Sequence, residues 1–183
     1  EQMPENMRVW MQMYADEIAR LSDKALAAPS LEEVEYYPTV EPLLGNTAWN
    51  QSAPYNDHCP IDPSTNERSV TGCMATATAQ VMYHHKYPIS GTGEHSYYWC
   101  GQRLSVDFSQ ATYDWENMLP RYQTGKYTKV ESDAVAQLMY HVGVACDMSY
   151  SSSASGAGMG ASATALINYF DYAPIEYTDD ESR

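Results

Sequence analysis

Phenylalanine is almost missing from this sequence: two residues stand against sixteen tyrosines in a chain of 183. An aromatic set carried by tyrosine predicts many half-exposed rings, each with an apolar body and a polar tip. Positive charge is also scarce, with ten Lys and Arg against twenty-four Asp and Glu and a net charge of −14. Such a chain repels a phosphate backbone rather than neutralising it, so nucleic acid is excluded as a partner. No apolar run is long enough to span a bilayer, and no membrane partner is expected. The four cysteines, Cys59, Cys73, Cys100 and Cys146, are too few for a dense disulfide framework and show no Cys-x-x-Cys pairing of the zinc-binding kind. If one of them is a free nucleophile, at most one pair remains. No metal and no cofactor are expected.

What is present concentrates in residues 71–88, Thr-Gly-Cys-Met-Ala-Thr-Ala-Thr-Ala-Gln-Val-Met-Tyr-His-His-Lys-Tyr-Pro. Gly72 permits a tight entry and a close approach of neighbouring chain. Ala75, Ala77 and Ala79 propagate a helix, and Pro88 ends it. Cys73 then lies in the first turn, where unpaired backbone N–H groups and the positive end of the helix dipole favour an anion. A thiolate is an anion, and helix N-termini are sites where cysteines become reactive. The competing reading of Cys73 is a small buried core residue, a common fate of free cysteine.

The rest of the chain is organised around that helix. Met7, Met11, Tyr14, Ile18, Leu21 and Ala25 recur at three- and four-residue spacing after Pro4, which predicts an amphipathic helix, broken at Ala27-Ala28-Pro29-Ser30 and followed by an acidic connector over 31–38. Residues 39–61 read as loop. Gly91, Gly93 and alternating aromatic residues after Pro88 predict a hairpin or irregular strands. Residues 132–141 read as a helix capped by Ser132, with Val135, Leu138, Met139 and Val142 buried and Gly143 as a left-handed stop. Residues 144–148 are a strand candidate, 151–160 a small-residue loop and 163–169 a short helix.

The 71–82 stretch closely resembles the active-site helix of the streptopain family of bacterial cysteine peptidases. Further landmarks follow that family in order from about residue 38 to about residue 172: Trp49-Asn50-Gln51 with Pro54-Tyr55-Asn56, Tyr113-Asp114-Trp115-Glu116-Asn117-Met118, Val142-Gly143-Val144 with Asp147-Met148-Ser149-Tyr150, and Ala165-Leu166-Ile167-Asn168-Tyr169-Phe170. The resemblance implies an α+β, papain-like fold, here mainly its helical N-terminal half with the β-rich half mostly missing. It implies that residues 1–37 are a propeptide tail and connector, processed somewhere in about 26–38, and that 38–183 are the N-terminal part of the catalytic domain. It further implies a secreted endopeptidase of polypeptides with Cys73 as nucleophile and Gln51 as oxyanion-hole donor. Gly72 and the stretch Ser151, Ser152, Ser153 and Ala154 would border the substrate cleft; on the residues alone that stretch is equally a flexible surface linker.

The base is the difficulty. His84 and His85 follow Cys73 by eleven and twelve positions on one helix, roughly 16–18 Å along the axis at about 1.5 Å per residue. They are read as half-buried residues at the helix C-terminus, favourable to the dipole. His58, His95 and His141 stand in no setting of the Gly-Gly-His-Ala type, and no Asn-Trp-Gly-Trp segment occurs. The expectation is that a C-terminal fragment of the same precursor carries the catalytic histidine, and that this chain alone is inactive. The alternative is a noncatalytic papain-like binding or inhibitor module.

Overall fold

The computed structural model describes residues 5–25, 40–158 and 160–174. The stretch of about 26–38 expected to hold the processing site and the acidic residues Asp179, Asp180 and Glu181 lie outside the described residues. The chain divides into two compact units, Glu1–Val40 and Glu41–Arg183. The first contains α1 (Glu5–Ala25), the helix predicted by the Met7, Met11, Tyr14 and Ile18 stripe, whose four residues are exposed.

In the second unit a short hairpin, β1 (Ile61–Asp62) with β2 (Glu67–Arg68), precedes α2 (Cys73–His85). A longer antiparallel hairpin follows, β3 (Glu94–Trp99) with β4 (Gln102–Asp107), in a register that places Tyr97 opposite Leu104 and His95 opposite Val106. Two helices complete it, α3 (Lys129–Ala145) and α4 (Ala161–Tyr169). α2 packs on α3, and α4 packs on both. The small residues Ala75 and Ala79 of α2 are fully buried there, opposite a core of Val135, Leu138, Met139 and Val142 from α3 with Phe108, Met148 and Phe170. Deleting a buried leucine such as Leu138 would cost about 2–5 kcal/mol.

Three indole N–H groups reach carbonyls: Trp49 to Leu119 at 2.8 Å, Trp99 to Tyr150 at 3.0 Å and Trp115 to Pro88 at 2.9 Å. These bonds let large rings enter the interior without stranding a donor. The tyrosines divide more sharply than their number predicts. Tyr55, Tyr113 and Tyr150 are buried, whereas Tyr98 is 77% exposed.

α3 departs from its sequence reading at both ends. It starts at Lys129, capped by Thr128, whose hydroxyl accepts from the Glu131 amide while the Glu131 carboxylate accepts from the Thr128 amide. This reciprocal box satisfies two end donors and outcompetes Ser132, which instead bonds the Lys129 carbonyl from inside the helix. The helix also runs past Gly143 to Ala145, and the left-handed residue after it is Asp147, at φ 52°. Residues 144–148 are therefore helix end and turn, not a strand, and the pairing that follows them is the Ser149–Gly156 bridge. Gly143 lacks a side chain for a different reason: a Cβ there would overlap the Tyr150 hydroxyl.

Candidate active site

Cys73 is the first residue of α2, and it is exposed. Its neighbour Gly72 is buried, with φ 88° and ψ 142°, a conformation that residues with a Cβ rarely adopt. A Cβ on Gly72 would also lie 2.7 Å from the Met148 sulfur and 3.1 Å from the Ser155 carbonyl oxygen. Backbone torsion and close packing thus both require glycine, and they aim the next residue out of the interior. No side chain caps this helix, and its first turn holds no acidic residue. The positive helix end at Cys73 is left without an anion of its own.

The entry to α2 is braced by hydroxyls. Thr76 donates to the Gly72 carbonyl at 3.0 Å, so its bond with the Thr71 hydroxyl at 2.8 Å has Thr71 as donor. Gln51 is held beside this entry by its backbone, its carbonyl accepting from the Thr71 amide at 3.1 Å. Two residues earlier, the Trp49 amide donates to the Gln80 side chain of α2 at 3.4 Å. The Gln51 loop is therefore tied to the chain just before α2 and to α2 itself beyond the thiol-bearing turn.

The serine loop reaches the same place. The Ser151 carbonyl accepts from the Val70 amide at 3.0 Å, and the Ser155 hydroxyl donates to the Val70 carbonyl at 2.7 Å. Ser153 and Ala154 are exposed, Ser151 and Ser152 half-buried, and Ser155 buried. The structure thus brings Cys73, Gly72, the Gln51 backbone and residues 151–155 together around the start of α2. Sequence reasoning missed three supports: Met148 and Ser155, which press on Gly72, and Asp62, whose carboxylate accepts from the Ser152 amide at 2.9 Å. Only Asp62 carried a local signal, an Asp-Pro-Ser turn in which the same carboxylate accepts from Ser64.

All five histidines bond or stack elsewhere. His84 and His85 are exposed, not half-buried as expected, and their rings stack edge to face at 4.9 Å. His58 lies 3.6 Å from Asp133. His95 contacts Asp147 at 2.7 Å through Nε2 and the Tyr169 hydroxyl at 3.0 Å through Nδ1. His141 sits inside α3 rather than at its end, with Nδ1 3.1 Å from the Tyr113 hydroxyl, and burial lowers its pKa to about 4. Among the described residues no cluster of His, Cys, Asp and Glu could hold a metal ion, and no helix is long and apolar enough to cross a membrane. A depression of about 660 Å³ is lined by Lys86, Ile89, Tyr113 and Trp115, past the far end of α2 from Cys73.

The other thiols differ from Cys73 in surroundings. Burial pushes Cys59 and Cys146 each up to about 12, and Cys100 is exposed in the turn between β3 and β4.

Residues 49–182 match the family model described as Peptidase C10 family. The chain is 30% identical over 186 aligned residues to streptopain of Streptococcus pyogenes, an alignment covering 92% of this chain and 46% of streptopain. It spans about half the length of streptopain. Among solved structures it is similar to active wild-type interpain A, a cysteine protease of Prevotella intermedia, with 41% identity, a TM-score of 0.64, and coverage of 74% of this chain and 59% of that one. A prointerpain A fragment from the same organism matches with 36% identity and a TM-score of 0.64, over 93% of this chain and 56% of that one.

Proposed function

Because the chain belongs to the peptidase C10 family and has its papain-like α+β fold, we propose that it carries the nucleophile-bearing part of a secreted streptopain-like cysteine endopeptidase. One observation carries the reading. An exposed thiol opens a helix whose first turn has no acidic residue and no side-chain cap, with the Gln51 loop hydrogen-bonded to that helix entry.

In the proposed reaction the Cys73 thiolate adds to the scissile carbonyl carbon, and the resulting oxyanion accepts from the Cys73 amide and the Gln51 side chain. The thiol proton passes to a histidine supplied by a C-terminal fragment of the same precursor, which delivers it to the leaving amine as the C–N bond breaks. Water, deprotonated by that histidine, then adds to the thioester, and the carboxylic acid leaves as the thiol is regenerated. Residues 1–37 act as the propeptide tail, and polypeptides lie along Gly72, Ser151, Ser152, Ser153 and Ala154.

The engagement of all five histidines outside the thiol's surroundings favours this partition, and it equally suits a noncatalytic binding or inhibitor module. Casein hydrolysis by the complete protein, with Cys73→Ala alongside, separates the two. Activity lost in the variant, by about a million-fold as for a removed nucleophile, supports the peptidase. Equal rates for both proteins would leave the binding module.

A further inference from the structure

The Asp62 carboxylate spans two loops. Oδ1 accepts from the Ser64 amide at 2.9 Å and the Ser64 hydroxyl at 2.6 Å. Oδ2 accepts from the Ser152 amide at 2.9 Å, across ninety positions of sequence. The Thr65 hydroxyl donates to the Ser152 hydroxyl at 3.0 Å beside it. Asp62 itself is only 6% exposed, fixed by its pairing with Glu67 in the β1–β2 hairpin. The Ser64 hydroxyl first, then the Ser152 and Ser64 amides, hold its carboxyl well below the usual carboxylate range. Both oxygens are used, and each serves a different segment of chain.

At its outer edge the segment on the Oδ2 side meets the β1–β2 hairpin through the Asp62 carboxylate and the Thr65 hydroxyl. Ser151 and Ser155 are tied to Val70, Ser155 is buried against Gly72, and the Ser153 amide donates to the Ser151 hydroxyl at 3.3 Å within the loop, but Ser153 and Ala154 are exposed. The Ser152 amide is where the backbone of that outer edge bonds a distant segment. A backbone that accepts an extended peptide by main-chain hydrogen bonds has to be held still, because ordering it on binding would cost affinity.

We propose that Asp62 is a positioning residue for substrate binding, its carboxylate clamping the backbone at Ser152 to the β1–β2 hairpin so that residues 151–155 form a preset wall for an extended polypeptide. The inference rests on the peptidase reading above for its substrate and on the geometry alone for its clamp. It assigns Asp62 no contact with substrate and no part in proton transfer.

Asp62→Asn is the discriminating change. An amide has one acceptor oxygen; with that oxygen on Ser64, its NH2 group faces the Ser152 amide, donor against donor. Ser64→Ala is the control, since it weakens the Oδ1 side and leaves the Ser152 bond in place. Two readouts are taken on the complete protein: amide hydrogen exchange at residues 152–154, and steady-state hydrolysis of an extended peptide together with the alkylation rate of Cys73. In Asp62→Asn, exchange at 152–154 is expected to accelerate about tenfold and KM to rise about tenfold, with kcat and the alkylation rate within about twofold of wild type. Ser64→Ala is expected to change none of these by more than about twofold.

Exchange unchanged both in Asp62→Asn and in Asp62→Ala, which has no acceptor in either orientation, overturns the clamp whatever happens to turnover. Faster exchange with KM unchanged overturns the role in substrate binding. A kcat that falls together with the alkylation rate shows a disturbance of α2 rather than of the loop, and also overturns it. If wild-type protein has no Cys73-dependent turnover, the peptidase reading fails, and the positioning role falls with it even where the exchange arm detects a clamp.

Discussion

Gly72 is the residue on which the exposure of Cys73 rests. Its φ of 88° and the 2.7 Å approach of the Met148 sulfur to any added Cβ leave no room for alanine. Gly72→Ala is expected to destabilise the protein by about 2–4 kcal/mol, combining torsional strain with overpacking, in a denaturant melt. Met148→Ala costs about 2–5 kcal/mol at its buried site, so relief of the contact shows as a double-mutant loss smaller than the sum of the two, with the torsional part of the Gly72→Ala loss kept. The thiols offer a second check at this scale. Cys59 and Cys146 are buried and pushed up to about 12, so at pH 8 they hold almost no thiolate, whereas Cys73 and Cys100 are exposed. Iodoacetamide followed by peptide mapping is expected to modify Cys73 first and Cys100 more slowly, with Cys59 and Cys146 reacting only after unfolding. A Cys73 rate equal to that of Cys100 would remove the activated-nucleophile reading.

At the scale of elements, α3 supplies the surface on which α2 stands, and its length depends on one glycine. Gly143 lies inside the helix, under the Tyr150 ring, and the Tyr150 hydroxyl is buried with no oxygen or nitrogen partner among the described residues, set against the Cys59 thiol. Gly143→Ala is expected to cost about 1–3 kcal/mol by driving a methyl group into that hydroxyl. Tyr150→Phe alone should change stability by no more than about 1 kcal/mol, since it removes a polar atom with no oxygen or nitrogen partner. Combined, the two changes should be less damaging than their sum, and a double-mutant cycle measures the difference. Additive losses would mean that the strain lies elsewhere. The same element shows why its sequence reading stopped short. A glycine after an apolar stripe looks like a helix stop, but the packing of Tyr150 sets the requirement here, and the contact arises between residues seven positions apart across a turn.

For the molecule as a whole, His141 couples folding to pH. Burial lowers its pKa from 6.5 to about 4, with the charge of His58 adding to the effect. Phe108, Tyr113 and Tyr140 also face the ring. A base whose pKa is depressed on folding is held neutral in the native state and binds its proton more readily when unfolded. Stability is therefore full above about pH 6.5 and declines as pH falls from there towards 4, by about 3 kcal/mol at one pKa unit per 1.36 kcal/mol. Urea melts at pH 7, 5.5 and 4.5 should show this slope. His141→Gln, which keeps a polar group near Tyr113 without the titration, should flatten it relative to wild type.

The α2 helix, its thiol at the first turn, the hairpin after Pro88 and the short helix near 163–169 were all legible in the sequence, because each depends on local spacing, small residues and chain-breaking residues. The cap and end of α3, the burial of Tyr55, Tyr113 and Tyr150, and the exposure of His84 and His85 were not, because they depend on what packs against them. Sequence alone determined that a cysteine stands where a helix begins, since torsion and propensity act over a few residues. Only tertiary structure decided that Gln51 lies at Thr71, that residues 151–155 lean on Val70 and Gly72, and that Asp62 reaches Ser152. These bonds join groups twenty to ninety positions apart, and chain connectivity carries no trace of them until burial brings their partners together.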